Sequence, residues 1–207
     1  MVDIVMLVDQ SISIGNAIGS YVACINNVIG TQRTLNPGAL FSLYTFNHNI
    51  YTKCSDVRIT DLQPLGVKDI IPSGSTSLYD AVHVVLTKRK HVVRPTIMIV
   101  MTDGHDNFSK VRPNTILPLI QELMTRKWFF VFLGTDYIAN ILGGKMGFQT
   151  CVMYDNSPQS LKKASNAINI AISKACKAIT GFSNHLSDQD IPDDVRELMK
   201  FMGEMKI

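Results

Sequence analysis

Residues 2–8 read Val-Asp-Ile-Val-Met-Leu-Val, and residues 9–13 continue without a break as Asp9-Gln-Ser11-Ile-Ser13. The first seven are short, rich in β-branched residues and nearly continuous in apolarity. That pattern predicts a strand covered on both faces, because a half-exposed strand would alternate. In open α/β sheets ligands bind beyond the carboxyl ends of the strands, where strand order reverses. The polar run behind Val8 therefore stands where chemistry is expected.

Outward from this stretch, strands and helices alternate. Ile14, Ile18, Tyr21, Val22, Ile25, Val28 and Ile29 repeat at helical spacing. Asn36-Pro37-Gly38 is a turn, Ala39 to Phe46 a second strand, and 51–59 one or two weaker strands at an edge. Leu78, Val82, Val85 and Leu86 mark a second helix. Thr96–Met101 and Trp128–Leu133 are further strands, with a helix opening at Pro113 between them. A short helix near 137–142 and a strand over 149–154 follow. The last long helix opens at Ser157-Pro158, a cap followed by proline at the first helical position. The alternation predicts a mostly parallel sheet with helices on both faces.

The 207 residues carry 20 basic and 17 acidic side chains, a formal charge of +3. That is too weak a balance for the concentrated basic face that nucleic acid demands. The basic run Lys88, Arg89, Lys90, His91 and Arg94 reads as cations complementing a helix C-terminus. Cys24, Cys54, Cys151 and Cys176 are scattered, with no C-x-x-C pair and three in apolar surroundings, which fits buried thiols in a reducing compartment. With no basic leader before Val2 and no apolar run of spanning length, a cytoplasmic protein without membrane contact is expected.

Three segments after strands or breaks bring oxygen donors. In an extended turn Asp9, Ser11 and Ser13 point the same way. Gly74-Ser75-Thr76-Ser77-Leu78 offers hydroxyls at a helix start, and Thr102-Asp103-Gly104 places a carboxylate at a strand exit. Two carboxylates and three hydroxyls make a hard set that suits Mg²⁺ or Mn²⁺ better than zinc. Taken singly, these residues are ordinary for turns and caps.

Together, the D-x-S-x-S of Asp9–Ser13, the G-S-T-S-L around Thr76 and the T-D-G of 102–104 resemble the metal-ion-dependent adhesion site (MIDAS) of von Willebrand factor A domains. The resemblance covers residues 1 to about 181, and none of the five positions departs from the family pattern. It implies a Rossmann-like, three-layer α/β/α fold whose mostly parallel sheet has one antiparallel edge strand, expected within 51–59. It also implies that Asp9, Ser11, Ser13, Thr76 and Asp103 are the metal-site residues, some binding directly and others through water. Three of the five are neutral, so a bound ion keeps charge for an acidic residue of a protein partner. The expected function is metal-dependent protein binding, with no catalytic residue.

The alternative is a metal-dependent phosphoester hydrolase with His105 as base, set against a plain loop histidine. Gly144-Lys145 resembles the end of a phosphate loop, but Ala139 stands at its first glycine position and Met146 replaces the hydroxyl residue. The domain is expected over 1–182. The tail, 183–207, carries a short amphipathic helix with Val195, Leu198, Met199 and Met202 on one face, for packing on its own domain or gripping a partner.

Overall fold

Strand β1 (Asp3–Asp9) is buried at every residue, as its unbroken apolarity predicts. The computed structural model describes residues 1–104, 106–135 and 137–180. His105, the proposed boundary at 182 and the tail helix lie outside the described residues. After β1 come α1 (Ile18–Leu35), β2 (Leu40–Phe46), β3 (Ile50–Arg58), α2 (Leu78–Arg89) and β4 (Thr96–Thr102). Then follow α3 (Pro113–Met124), β5 (Trp128–Gly134), α4 (Tyr137–Met146), β6 (Thr150–Met153) and α5 (Pro158–Thr180).

The strands form one sheet in the order β3-β2-β1-β4-β5-β6. Every pairing is parallel except β2 with β3, which is antiparallel, so the edge strand falls where it was expected and as a single strand. Alternation along β1 sorts two cores. Ile4, Met6 and Val8 pack under α1 and α5, while Val5 and Leu7 pack under α2 and α3. This is the three-layer α/β/α arrangement. A buried amide ladder ties the first helix pair together: Gln32 donates to Asn169 at 2.8 Å, and Asn169 donates to Asn27 at 3.2 Å.

The described residues correct three expectations and add to a fourth. The first helix opens as a 3-10 turn over Ile12–Ala17 before α1 proper and runs on to Leu35, where the Asn36 N–H donates to the Gln32 carbonyl. Ile12–Leu35 is, by length and composition, apolar enough to cross a membrane. In this fold its stripe of Tyr21, Ile25 and Val28 is packed in the core. Among the cysteines only Cys24 is fully buried; Cys54, Cys151 and Cys176 are half-buried. Arg89 stands in the last turn of α2, as the basic run predicts, but is only 3 % exposed. It donates to Asp3 at 2.5 Å and forks onto both oxygens of Asp56 at 3.0 and 3.1 Å, and Arg94 joins Asp56 at 2.7 Å. Burial pushes the Asp3 carboxyl above its ordinary range, and Arg89 pulls it back.

Of the paired glycines of α4, Gly143 has a packing role and Gly144 has none. A Cβ at Gly143 would lie 2.7 Å from Phe132 Cγ and 3.0 Å from Cys151 Sγ, whereas one at Gly144 meets nothing within 4 Å. Gly143→Ala is therefore expected to destabilise by about 1–3 kcal/mol through overpacking. Gly144→Ala should stabilise by up to about 1 kcal/mol through helix propensity. Urea midpoints that move the same way in both variants would contradict this account of α4.

Candidate metal centre

Strand order reverses between β1 and β4, and the candidate residues gather at the carboxyl ends of those two strands. Pairing of Val8 with Met101 brings Asp9 level with Thr102. Asp9 is completely buried. One of its oxygens accepts the Ser11 N–H at 2.6 Å, and the other accepts the Thr102 hydroxyl at 2.6 Å. Burial pushes the Asp9 carboxyl up to about 6; those hydrogen bonds act against the rise, and the nearby Asp103 charge adds to it.

From there the oxygens form a line. The Ser11 and Ser13 hydroxyls lie 2.9 Å apart, and Ser13 donates to Asp103 Oδ1 at 2.8 Å. Ser11 is buried and Ser13 exposed, so the line runs from the sheet end out to solvent. Thr76 enters from the other side. A Cβ on Gly104 would sit 3.7 Å from Thr76 Oγ1, which puts this hydroxyl against the T-D-G turn. The structure thus brings Asp9, Ser11, Ser13 and Asp103 into one hydrogen-bonded chain and sets Thr76 beside it.

The segment carrying Thr76 and the loop carrying Asp103 are latched together. The Thr76 N–H donates to Asn107 Oδ1 at 2.9 Å, and the Asn107 and Phe108 N–H groups donate back to the Thr76 carbonyl at 3.0 and 3.2 Å. The Asp80 N–H donates to Ser109 Oγ at 3.0 Å, while the Asp80 carboxylate accepts the N–H groups of Lys110 and Val111. Amides at the start of α2 are thereby satisfied within the chain.

Two contributors were missed in the sequence. Thr102 stands in the T-D-G motif without a role that the sequence reveals, although its hydroxyl holds Asp9. Asn156 belongs to no motif in the sequence. Its amide donates to Asp103 Oδ2 at 3.2 Å, and its carbonyl oxygen accepts from Tyr21 at 3.3 Å. Tyr21 in turn hydrogen-bonds the hydroxyl of Tyr154. The rule used to find Asp9 and Asp103, inspection of residues just past a strand, applies equally after β6 and would have reached Asn156.

This donor set fits a small divalent cation. All five candidates are oxygen donors, and a cation would offset both the burial of Asp9 and the adjacency of its charge to Asp103. Among the described residues no three His, Cys, Asp or Glu side chains group together, so hydroxyls would do much of the holding.

By sequence, no known family model and no curated protein matches this chain. Solved structures do match in fold. Proximal thread matrix protein 1 from the mussel byssus superposes with a TM-score of 0.62 at 16 % identity, over 83 % of this chain and 48 % of that one. Another structure of the same protein, with a zinc-occupied MIDAS motif, gives 0.61 over 85 % and 48 %. The ArnB paralog VWA2 from Sulfolobus acidocaldarius gives 0.57 at 21 % identity, over 78 % and 44 %. The SpRpn10 VWA domain gives 0.58 at 12 %, over 82 % and 95 %. The chain spans about half the length of the first of these structures.

Proposed function

We propose, for a chain that has the von Willebrand factor A fold, that it is a divalent-metal-dependent protein-binding module whose partner supplies a carboxylate. The observation that carries this reading is the line of hard oxygens from buried Asp9 through Ser11 and Ser13 to Asp103. Asp9, Ser11, Ser13, Thr76 and Asp103 would hold Mg²⁺ or Mn²⁺, and the zinc-occupied motif of a fold neighbour supports metal binding of this kind. When bound, the cation supplies an electrophilic position for an anionic oxygen. The residues themselves do the arranging. Thr102 and the Ser11 amide fix both oxygens of Asp9, while Ser13 and Asn156 fix those of Asp103. Such a pre-set carboxylate pair loses little side-chain freedom when it binds.

Calorimetric titration with Mn²⁺ tests the site. Binding should follow a single-site curve in the wild type and weaken at least tenfold in Asp103→Ala. Equal affinities would remove Asp103 from the ligand set. The hydrolase reading is tested separately, by incubation with p-nitrophenyl phosphate and its diester analogue in Mn²⁺. No turnover is expected. Metal-dependent release of nitrophenol that disappears in His105→Ala would overturn the binding-module reading.

A further inference from the structure

The face carrying the candidate metal centre also carries bare apolar side chains. Ile12, between Ser11 and Ser13, is 73 % exposed, and Phe108, in the loop after Asp103, is 56 % exposed. Single exposed apolar residues are ordinary on any protein. These two are joined through one short segment. The Ile12 N–H donates to the Gly74 carbonyl at 3.2 Å, and the Phe108 N–H donates to the Thr76 carbonyl at 3.2 Å. The His48 ring meets Phe108 edge-on, with centroids 6.2 Å apart. That ring also lies against Gly74, where a Cβ would come within 2.2 Å of its Nδ1. Gly74 has φ +72°, a conformation that glycine adopts without strain. Residues 74–76 are thus the segment that Ile12, His48 and Phe108 all adjoin, the floor of a shelf. Thr76, a candidate ligand, belongs to that floor.

We infer that this shelf determines specificity: it receives a large apolar side chain next in sequence to the acidic residue taken by the metal centre. The inference rests on the metal-dependent reading above. Its occupant is a segment of another protein in which Glu or Asp has an aliphatic or aromatic neighbour. The carboxylate meets the cation, and the neighbour covers Ile12, His48 and Phe108. An apolar surface directly beside a polar centre is the usual makeup of a contact site. A basic neighbour is disfavoured, because the cation would repel it.

The test uses the full chain and two fluorescent peptides, Gly-Ser-Leu-Glu-Phe-Ser-Gly and Gly-Ser-Ser-Glu-Ser-Ser-Gly. Wild type and the double variant Ile12→Ser/Phe108→Ser should bind Mn²⁺ equally in calorimetry, since neither side chain is a ligand. By fluorescence polarisation in Mg²⁺, the wild type should bind the Leu-Glu-Phe peptide roughly tenfold tighter, or ~1.4 kcal/mol. In the double variant that advantage should fall below about twofold. Equal affinity in the wild type, or no binding of either peptide while Mn²⁺ binds, overturns the inference and leaves the metal reading intact. An advantage that survives in the double variant overturns it too. Absence of Mn²⁺ binding in the wild type defeats the metal reading and the inference with it. Sedimentation showing an Mg²⁺-dependent dimer that the double variant cannot form would assign the shelf to a second copy, and so also overturn the inference.

Discussion

Arg89→Ala is expected to destabilise the protein by about 3–5 kcal/mol, the range for removing one member of a buried ion pair. The substitution leaves the Asp3 carboxylate buried at the start of β1, with Arg94 3.9 Å away as its nearest remaining cation. It also leaves Asp56, which sits at a positive φ of 55° on the edge strand, with Arg94 alone in place of the bidentate Arg89 fork. For a domain with a total stability of about 5–15 kcal/mol, such a loss is a large share. Urea denaturation gives the number. Adding Asp3→Asn to Arg89→Ala should recover part of it, because the uncompensated charge is then gone. A loss below about 1 kcal/mol, or no recovery in the double variant, would show that the network is not what closes this end of the sheet.

Asp9→Asn should move stability and binding in opposite directions. In the wild type, free Mg²⁺ or Mn²⁺ at roughly 100-fold above Kd should raise Tm by about 5–10 °C, and the variant should show no such rise. Without metal the variant should be the more stable protein at neutral pH. The wild-type carboxyl is pushed up to about 6 from an ordinary 3.8, so between those values the folded state holds the proton more tightly than the unfolded state does. Wild-type stability therefore falls as pH rises from about 4 to about 6 and stays lower above that, by ~3 kcal/mol at most. Asparagine does not titrate. It still accepts the Ser11 N–H, and the Thr102 hydroxyl can turn to accept its amide. The same metal-induced shift in both proteins would remove Asp9 from the site.

The legible parts of this chain are those whose signal is local. Seven buried residues in β1, the stripe of Tyr21, Ile25 and Val28, and the Ser157-Pro158 start of α5 each reveal themselves within one or two turns of chain. At α5 the Ser160 N–H donates to the Ser157 hydroxyl as a cap requires. The D-x-S-x-S spacing is local too, since its oxygens lie within five positions, although the chain leaves the expected extended turn at Ile12 and carries Ser13 in a 3-10 turn. What escaped depends on contacts across long separations. Arg89 looks like any helix-end cation until Asp3, 86 positions earlier, is laid beside it. Asn156 acts on Asp103 across 53 positions and has no motif of its own. Gly143 matters only because Phe132 on β5 and Cys151 on β6 crowd it.

The strand order has a consequence in time. Asp9 and Thr102 lie 93 positions apart, and Ser13 and Asp103 lie 90 apart, yet their strands are immediate neighbours. Contacts this far apart in sequence are slow to form, because the loop between them must be closed first. During synthesis, at about 5–20 residues per second, roughly 5–20 s separate the emergence of Asp9 from that of Asp103. For that interval β1 can pair with β2 but has no β4, and one side of an apolar strand stands open. An unpaired edge of this kind is a template for wrong pairing. A nascent chain stalled before Thr96 should accordingly aggregate or bind chaperones far more readily than one stalled beyond β4.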